Sequence, residues 1–144
     1  MGTTAISSWG TAIKIGNGAT PEVFTTVAEV LDISGPALGL DTAEVTSHDS
    51  PGAWEEFVAT ILRSGEVSFD VNWVVTGATH SYLTGLLKDL TNRTKRNFQI
   101  VWPNISSTTW AFAAFITAMQ PSAPVNGPLT GSVTLKITGQ PTLA

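Results

Sequence analysis

The sequence predicts a single, mainly β domain of 144 residues: a two-sheet β-sandwich or a partly closed barrel with one flanking helix and a long loop between two strands. Three observations predict this fold. Apolar and polar residues alternate strictly over 66–73 and 132–138, which is typical of half-buried strands. Clusters of glycine and proline interrupt the chain between about seven β-rich segments. Leucines at i, i+3, i+4 and i+7 predict one helix over 79–91.

The N-terminal part of the chain predicts an arm followed by short strands. Residues 1–11 show no apolar period, so we expect an extended N-terminal arm whose large apolar side chains are Ile6 and Trp9. Turn-forming residues at 16–18 and 34–36 separate the segments that follow. Those segments are rich in β-forming residues, and they predict strands at 12–15, 24–33 and 40–46.

Residues 47–64 form an unusually long segment between two predicted strands. Pro51 and Gly52 break it, and apolar residues at near-helical spacing follow. A connection of this length is usually functional or disordered, and its apolar content argues against disorder. We predict that this long loop gains its burial from a neighbouring subunit. The candidate interface residues are His48, Asp49, Pro51, Trp54, Glu55, Phe57, Ile61 and Leu62.

The predicted helix, residues 79–91, follows the strand at 66–73. Its leucines form one apolar stripe, which predicts packing against the sheet. Thr79 or Ser81 can cap its start, whereas Gly85 inside it weakens the helix by about 1 kcal/mol relative to alanine. Basic residues near its end suit the negative end of the helix dipole.

The last three strands are predicted at 95–102, 108–119 and 132–138. The middle one is out of phase, because Trp110 and Phe112 share one side while Phe115 has the opposite parity. A bulge at 113–114 would return all three aromatic side chains to one side. The final strand is expected to end at the Gly-Gln-Pro sequence that opens residues 139–144, which leaves a short C-terminal tail and no further domain.

The low charge of the chain predicts that partner subunits cover part of its surface. Charged residues make up 12% of the sequence and the mean hydropathy is +0.19, whereas a soluble monomer usually has a more charged surface. The charges are also divided unevenly. Residues 1–70 hold ten acids and two bases, and residues 71–144 hold one acid and five bases. If these halves form different faces, copies could stack head to tail with opposite charges in contact.

The sequence shows no pattern of catalytic or metal-binding residues, so we expect no enzyme, no cofactor and no metal site. The chain has no cysteine, and its two histidines, His48 and His80, have no further ligands at metal-binding spacing. Motifs for a catalytic nucleophile or for nucleotide binding are also absent. We interpret both histidines as polar loop residues.

A basic cluster follows the predicted helix: Lys88, Arg93, Lys95 and Arg96. With a sequence pI near 4.9 and no interleaved aromatic residues, helix-dipole complementation and ion pairs explain this cluster better than nucleic-acid binding does. The N-terminus lacks the basic start and apolar run of a signal peptide. The longest apolar run, 110–119, is too short to span a membrane, so we expect no membrane partner.

The order of six short segments is more informative than any one of them. The segments are Ile13–Gly16, Glu44–Gly52, Trp54–Phe57, Ser64–Phe69, Phe98–Pro103 and Val133–Pro141. In this order they resemble the major tail tube proteins of long-tailed, lambda-type bacteriophages (siphoviruses). The resemblance covers most of the chain, and none of the segments is catalytic.

The resemblance implies a structural protein of the virion that assembles into the tail tube in the host cytoplasm. It implies homohexameric rings that stack into a hollow conduit for DNA during ejection. The expected partners are further copies of the chain, the tape measure protein, the tail terminator and the tail-tip or distal tail proteins. The resemblance also implies that the long loop becomes ordered between subunits and that Ile6 and Trp9 reach a neighbouring ring.

A tube that conducts DNA needs a lumen along which DNA slides. Each phosphate that pairs with lysine or arginine adds affinity through counterion release, so an acidic or neutral lining favours sliding. The polar side of the strand at 66–73 is our candidate lining, and its opposite side would pack the core. This candidate lumen row consists of Glu66, Ser68, Asp70 and Asn72.

Two other functions fit the predicted fold. One is the tube of a contractile secretion system or a tailocin, which genomic neighbours such as a tape measure gene would distinguish. The other is a carbohydrate-binding β-sandwich module with exposed tryptophans as sugar platforms. Glycan binding by a monomer that forms no rings in electron micrographs would favour the module.

Overall fold

The computed structural model describes residues 2–144 and confirms a mainly β fold with one short helix. A single turn of 3-10 helix spans Pro51–Ala53, and the helix α1 spans Leu86–Thr91. The strands are β1 Ala12–Gly16, β2 Phe24–Thr26, β3 Val30–Ser34, β4 Gly39–Glu44, β5 Phe57–Arg63, β6 Glu66–Asn72, β7 Lys95–Val101, β8 Thr109–Ser122 and β9 Thr130–Leu143.

Seven of the strands form one antiparallel sheet in the order β2-β1-β7-β8-β9-β6-β3. This sheet curls into a half-barrel around the core. The long β8–β9 hairpin lies at its centre, because β7 pairs with β8 and β6 pairs with β9. The strands β4 and β5 form a separate two-stranded sheet.

The core lies on the concave side of the half-barrel. In β6, Val67, Phe69 and Val71 are buried while the intervening residues point outward, so the alternation predicted there is confirmed. Leu86 of α1 adds a buried side chain from the helix. The other core residues are Ile13, Ile15, Val27, Phe98, Ile100, Phe112, Ala114, Ile116, Val133, Leu135 and Ile137.

The two outer strands of the half-barrel are joined by a short crossing. The segment predicted as one strand at 24–33 is two strands at opposite edges of the sheet, β2 and β3. Between them, buried Val27 donates its N–H to the carbonyl of Ile13 in β1, and the Glu29 carbonyl accepts the N–H of Asn72 in β6. The crossing therefore bonds to both sides of the sheet and partly closes the barrel.

A hydrogen bond from the side chain of His80 holds this crossing in place. Its Nδ1 accepts the backbone N–H of Val74 at 3.1 Å, and its Nε2 donates to the carbonyl of Ala28 at 2.8 Å. The hydroxyl of Thr79 accepts the N–H of Ala28. His80 is fully buried, so it is a structural residue of the barrel rather than a polar residue on a solvated loop.

The helix is shorter than predicted, because α1 begins after Gly85 and not at Thr79. Before it, the hydroxyls of Ser81 and Thr84 bond to each other and to backbone groups, and such local bonds compete with helical ones. A Cβ on Gly85 would clash with the backbone of Thr79. Gly85 therefore marks the start of the helix instead of weakening its interior, and the predicted side-chain caps do not form there.

The bulge predicted at 113–114 is wrong. The strands β7 and β8 pair without a break over the whole of β7, so Phe115 stays on the outer face while Ala114 occupies the core position. Phe115 lies between its cross-strand neighbours Lys95 and Lys136. Their long apolar stems can cover an outward-facing ring, which removes the need for a bulge.

The C-terminal tail predicted at 139–144 is also wrong, because β9 continues to Leu143. The pairing of β8 with β9 shifts next to Gly139, whose φ is 78°, and then resumes opposite Trp110 and Ala111. Glycine adopts this positive φ without steric cost, so the Gly-Gln-Pro sequence produces an irregularity within the strand and not its end.

Candidate subunit interface

The predicted long loop is largely a β-hairpin. Residues 57–63, which we predicted as part of the loop, form β5 and pair with β4 through contacts such as Leu40 with Leu62 and Glu44 with Phe57. The near-helical spacing was misleading, because these β-branched and aromatic residues are equally suited to a strand. We call residues 39–63 the projecting hairpin. All seven residues of β5 are exposed.

Two glycines connect the projecting hairpin to the half-barrel. Gly35 and Gly65 have φ values of 104° and 69°. A Cβ on Gly35 would clash with the carbonyl oxygen of Glu66, and a Cβ on Gly65 would clash with that of Ala37. The two segments at the base of the hairpin therefore pass too closely for any other residue, and this contact fixes the direction in which the hairpin leaves.

Hydrogen bonds hold the tip of the projecting hairpin in one shape. The hydroxyl of Ser50 donates to Glu56 Oε2 at 2.7 Å and accepts the backbone N–H of Ser47 at 2.9 Å. The N–H of Glu56 donates to the hydroxyl of Thr46 at 2.8 Å. The tip is thus ordered although nearly all of it is exposed, and a preorganised tip loses less conformational entropy on binding.

The predicted interface residues lie on the surface of the projecting hairpin. His48, Asp49, Pro51, Trp54 and Glu55 lie in the tip, and Phe57, Ile61 and Leu62 lie in β5; all eight are exposed. Trp54 and Leu62 have 77% and 79% of their surface exposed. An isolated two-stranded sheet is marginally stable in water, and large exposed apolar patches mark interaction sites. The hairpin therefore has the surface of a binding element.

The projecting hairpin also accounts for the net charge of the protein. It contains five acidic residues and one basic residue, whereas the rest of the chain contains six of each. Its one basic residue, Arg63, forms an ion pair with Asp41 of the same hairpin, with an N–O distance of 2.8 Å. The net charge of −4 is thus the charge of this one element.

The N-terminal arm lies beside a pair of tryptophans at one end of the half-barrel. Trp102 and Trp110 contact each other edge to face, with ring centroids 5.2 Å apart. Residues 6–8 of the arm and these rings line a groove of about 450 Å³. Ile6 and Trp9 themselves are exposed, so both predicted inter-ring residues are available to a neighbour.

The candidate lumen row lies on the convex face of the half-barrel. Glu66, Ser68 and Asp70 are exposed there, and Asn72 is half-buried at the end of β6. Ser132 in β9 donates a hydrogen bond to Asp70 at 2.8 Å. Glu66 lies opposite Lys136, and Lys95 lies on the same face across β8. The face therefore carries bases as well as acids, and these include Lys14, which points outward between buried Ile13 and Ile15, although the predicted row alone is acidic.

The four residues of the basic cluster have different surroundings in the structure. Arg96 bonds to Asp89 of α1 at 2.9 Å and donates to the carbonyl of Gly16, so it ties the helix to the sheet. Burial raises the pKa of Asp89, while the charge and hydrogen bonds of Arg96 and the charge of Lys88 act to lower it. Lys88, Arg93 and Lys95 are exposed.

The described residues lack metal-binding clusters and membrane-spanning helices. No group of three or more histidine, cysteine, aspartate or glutamate residues within 2–144 could hold a metal ion. The same residues include no helix that is long and apolar enough to cross a membrane.

Comparison with known proteins identifies the family of this chain. The model of the lambda phage tail tube protein family matches residues 8–144. The chain belongs to this family. It is therefore a structural subunit of a tail tube, and its place is the tail of a phage-type particle. The curated proteins include no match to the sequence.

Chains of several solved particles share the fold of this tail tube protein at low sequence identity. A native gene transfer agent virion contains a chain with a TM-score of 0.72 and 19% identity, covering 97% of this chain and 99% of that one. A chain of the anti-feeding prophage baseplate has a TM-score of 0.70 and 15% identity over 100% and 97%. The SPP1 tail tube has a TM-score of 0.66 and 13% identity over 97% and 80%. At these levels of sequence identity, the comparison shows a shared fold but not a shared function.

Two features of the interface region were missed by the sequence analysis. One is the pair of glycines at the base of the projecting hairpin, Gly35 and Gly65. They flank it almost symmetrically, next to Pro36 and Ser64, and that symmetry is the signal of a hairpin base. The other is the ordered tip, for which a Ser-x-x-Ser sequence gave only a weak signal.

Proposed function

We propose that this tail tube protein forms homohexameric rings, which stack into a hollow conduit through which DNA passes during ejection. Membership of the tail tube family supports a tube, and a related fold occurs in a gene transfer agent tail that was refined with C6 symmetry. A ring that stacks on further rings needs contacts of two kinds, within a ring and between rings. Heterologous contacts between unlike surfaces of one chain produce such open assemblies.

The observation that carries this proposal is the exposed apolar surface of the projecting hairpin. Phe57, Ile61 and Leu62 would each contribute about 1.5–3 kcal/mol on full burial, and a free subunit leaves more than half of each exposed. A neighbouring subunit provides the surface that covers them. In this assembly the eight predicted residues of the hairpin are interface residues, and Ile6 and Trp9 contact the adjacent ring.

The convex face of the half-barrel lines the lumen in this proposal. On this face Lys136 lies directly opposite Glu66. A phosphate that approached Lys136 would meet that acid close by, so little counterion release would favour binding there. A lining that mixes acids with bases thereby favours sliding of DNA. The tape measure protein would occupy the same lumen before ejection, and the terminator and tail-tip proteins would bind the two open ends.

The lumen assignment has a direct test, because the chain contains no cysteine. We expect Ser68→Cys in assembled tubes to react with a small maleimide but not with a maleimide polymer too wide for the lumen. The same variant as free subunits should react with both reagents, which provides the control. Equal reaction of tubes with both reagents would place this face outside the lumen.

Assembly is tested by electron microscopy and sedimentation of the purified protein over a range of concentrations. We expect rings and tubes of sixfold symmetry. Trp54→Ser should prevent them without unfolding the subunit, because Trp54 is 77% exposed. Val125→Ser is the matched control, since Val125 is fully exposed in the β8–β9 loop outside the hairpin. A wild-type protein that remains monomeric at all concentrations would contradict the proposal.

A contractile injection system remains the second candidate function. A chain of the sheath-tube complex of an extracellular contractile injection system shares the fold, with a TM-score of 0.67 and 17% identity over 98% of this chain and 93% of that one. The family model favours the phage tail. Co-purification of the assembled tube with a sheath protein would favour the contractile system instead.

A further inference from the structure

We propose that the projecting hairpin of one subunit docks on the α1–β7 region of a neighbouring copy, where its acids face Lys88 of α1 and Arg93 of the turn that follows it. This proposal rests on assembly of the protein into a tube and adds which two surfaces meet. It concerns unlike surfaces of one chain, so the same contact can repeat from copy to copy.

The hairpin surface carries acids that the subunit itself does not neutralise. Asp41 is paired with Arg63, and Glu56 is held by Ser50 in the tip. Three further acids, Glu44, Asp49 and Glu55, are exposed and form no ion pair within residues 2–144. They lie among the exposed apolar residues of the hairpin, so the surface is both apolar and acidic.

The α1–β7 region has the complementary character. Lys88 of α1 and Arg93 of the turn that follows it are exposed and form no ion pair within the described part of the chain, whereas Arg96 is occupied by Asp89. The turn that leads into α1 exposes Tyr82 and Leu83. The residues at the two ends of α1 thus include exposed apolar side chains and free cations.

A second copy is the partner because the protein assembles into a tube. Outside the hairpin, acids and bases are equal in number, so the attraction comes from local clusters of opposite charge and not from net charge. Complementary charges set the orientation and register of an interface and reject wrong alignments. DNA would also satisfy the two cations, but a neighbouring hairpin supplies both acids for them and an apolar surface for Tyr82 and Leu83.

Charge reversal tests the contact. The hairpin-reversed variant is Glu44→Lys with Glu55→Lys, and the patch-reversed variant is Lys88→Glu with Arg93→Glu. These residues are exposed, so circular dichroism and thermal unfolding should match the wild type. Asp32→Lys, an exposed acid of β3 outside the hairpin, is the control for a change of charge alone.

We expect each reversed variant to raise the critical concentration for assembly about tenfold or more, since like charges then meet in every contact. An equimolar mixture of the two variants should assemble near the wild-type concentration. In the mixture, copies alternate and every hairpin meets a patch of opposite charge. Rescue in the mixture is specific for a contact between different subunits.

The outcomes separate this proposal from the proposed function. If the wild type forms no rings or tubes, both fail. If the wild type assembles and the reversed variants assemble equally well, or the mixture is not rescued, only the docking contact is overturned. It is also overturned if patch reversal abolishes retardation of a DNA fragment in a gel while tube assembly is unchanged.

Discussion

The half-barrel and the projecting hairpin consist of similar residues but differ completely in burial. In β6, Val67, Phe69 and Val71 are at most 2% exposed, whereas in β5 Phe57 is 53% exposed and Leu62 is 79% exposed. Similar β-forming residues therefore form strands in both regions, but the sequence does not determine what covers them. The half-barrel completes its core within one chain. The hairpin has a defined shape, but its apolar side chains are exposed, and a second chain would cover them.

The largest expected difference comes from removing one phenylalanine in each region. Phe69→Ala should lower the free energy of unfolding of the subunit by about 3–5 kcal/mol, because it leaves a cavity in the core. Phe57→Ala should change it by about 0.5 kcal/mol or less, because the ring is already half exposed, yet it should impair assembly. Urea unfolding and sedimentation measure the two effects. Equal destabilisation by both variants would contradict the distinction between the regions.

A smaller effect is expected at the ion pair that holds α1 on the half-barrel. Arg96→Ala should cost about 3 kcal/mol, because it leaves the buried carboxylate of Asp89 without its partner. Asp89→Asn should cost less, since the amide oxygen can still accept from Arg96. Thermal unfolding at neutral pH compares the variants, and a greater loss in Asp89→Asn would contradict this account.

The pair also predicts a pH dependence. Burial raises the pKa of Asp89 above 3.8, so between the two values the folded state binds more protons than the unfolded state. The stability contributed by this carboxyl is therefore greatest below about pH 3.8 and falls as pH rises through the folded-state pKa. As the pH rises from about 3.8 through the folded-state pKa of Asp89, the free energy of unfolding of the wild type should fall relative to that of Asp89→Asn. Urea unfolding of both proteins across the window measures it, and parallel pH profiles would exclude it.

Substitutions at the base of the hairpin, where it joins the half-barrel, should have effects of intermediate size. Gly65→Ala meets both a positive φ and a clash with the Ala37 carbonyl, so we expect a loss of about 2 kcal/mol and failed assembly through a misdirected hairpin. Gly139→Ala has a similar φ but nothing within 4 Å, and about 1 kcal/mol is expected. Chemical unfolding and electron microscopy compare them; normal tubes from Gly65→Ala would show that the hairpin direction is unimportant.

The smallest effect is expected in the tip. Ser50→Ala removes two hydrogen bonds worth about 1 kcal/mol each, but it loosens only the tip and should leave global unfolding unchanged. It should raise the critical concentration for assembly about fivefold, because the tip must order on binding. Ser47→Ala, whose hydroxyl accepts one 3.3 Å bond, is the control and should have less effect. Equal effects of both changes would contradict a role for tip order.

Where one side of a strand faces the core, alternation predicted the buried residues correctly, as in β6 and in residues 132–138 of β9. Prediction failed where tertiary contacts override the local pattern. Phe115 stays on the outer face between two lysines, and the close approach of Gly85 to Thr79 delays the helix. In the candidate interface, the exposed apolar residues were predictable but the strand that carries them was not. Their near-helical spacing was misleading, although β-branched and aromatic residues are equally suited to a strand.

Hydrogen exchange in free and assembled protein tests the central claim most directly. In free subunits the amides of residues 39–63 should exchange quickly, because an isolated two-stranded sheet opens at little free-energy cost, while those of β6 and β8 are protected. In tubes we expect the hairpin amides to become as protected as the half-barrel. Unchanged rapid exchange of the hairpin in tubes, or full protection already in free subunits, would contradict burial of the hairpin by a neighbouring copy.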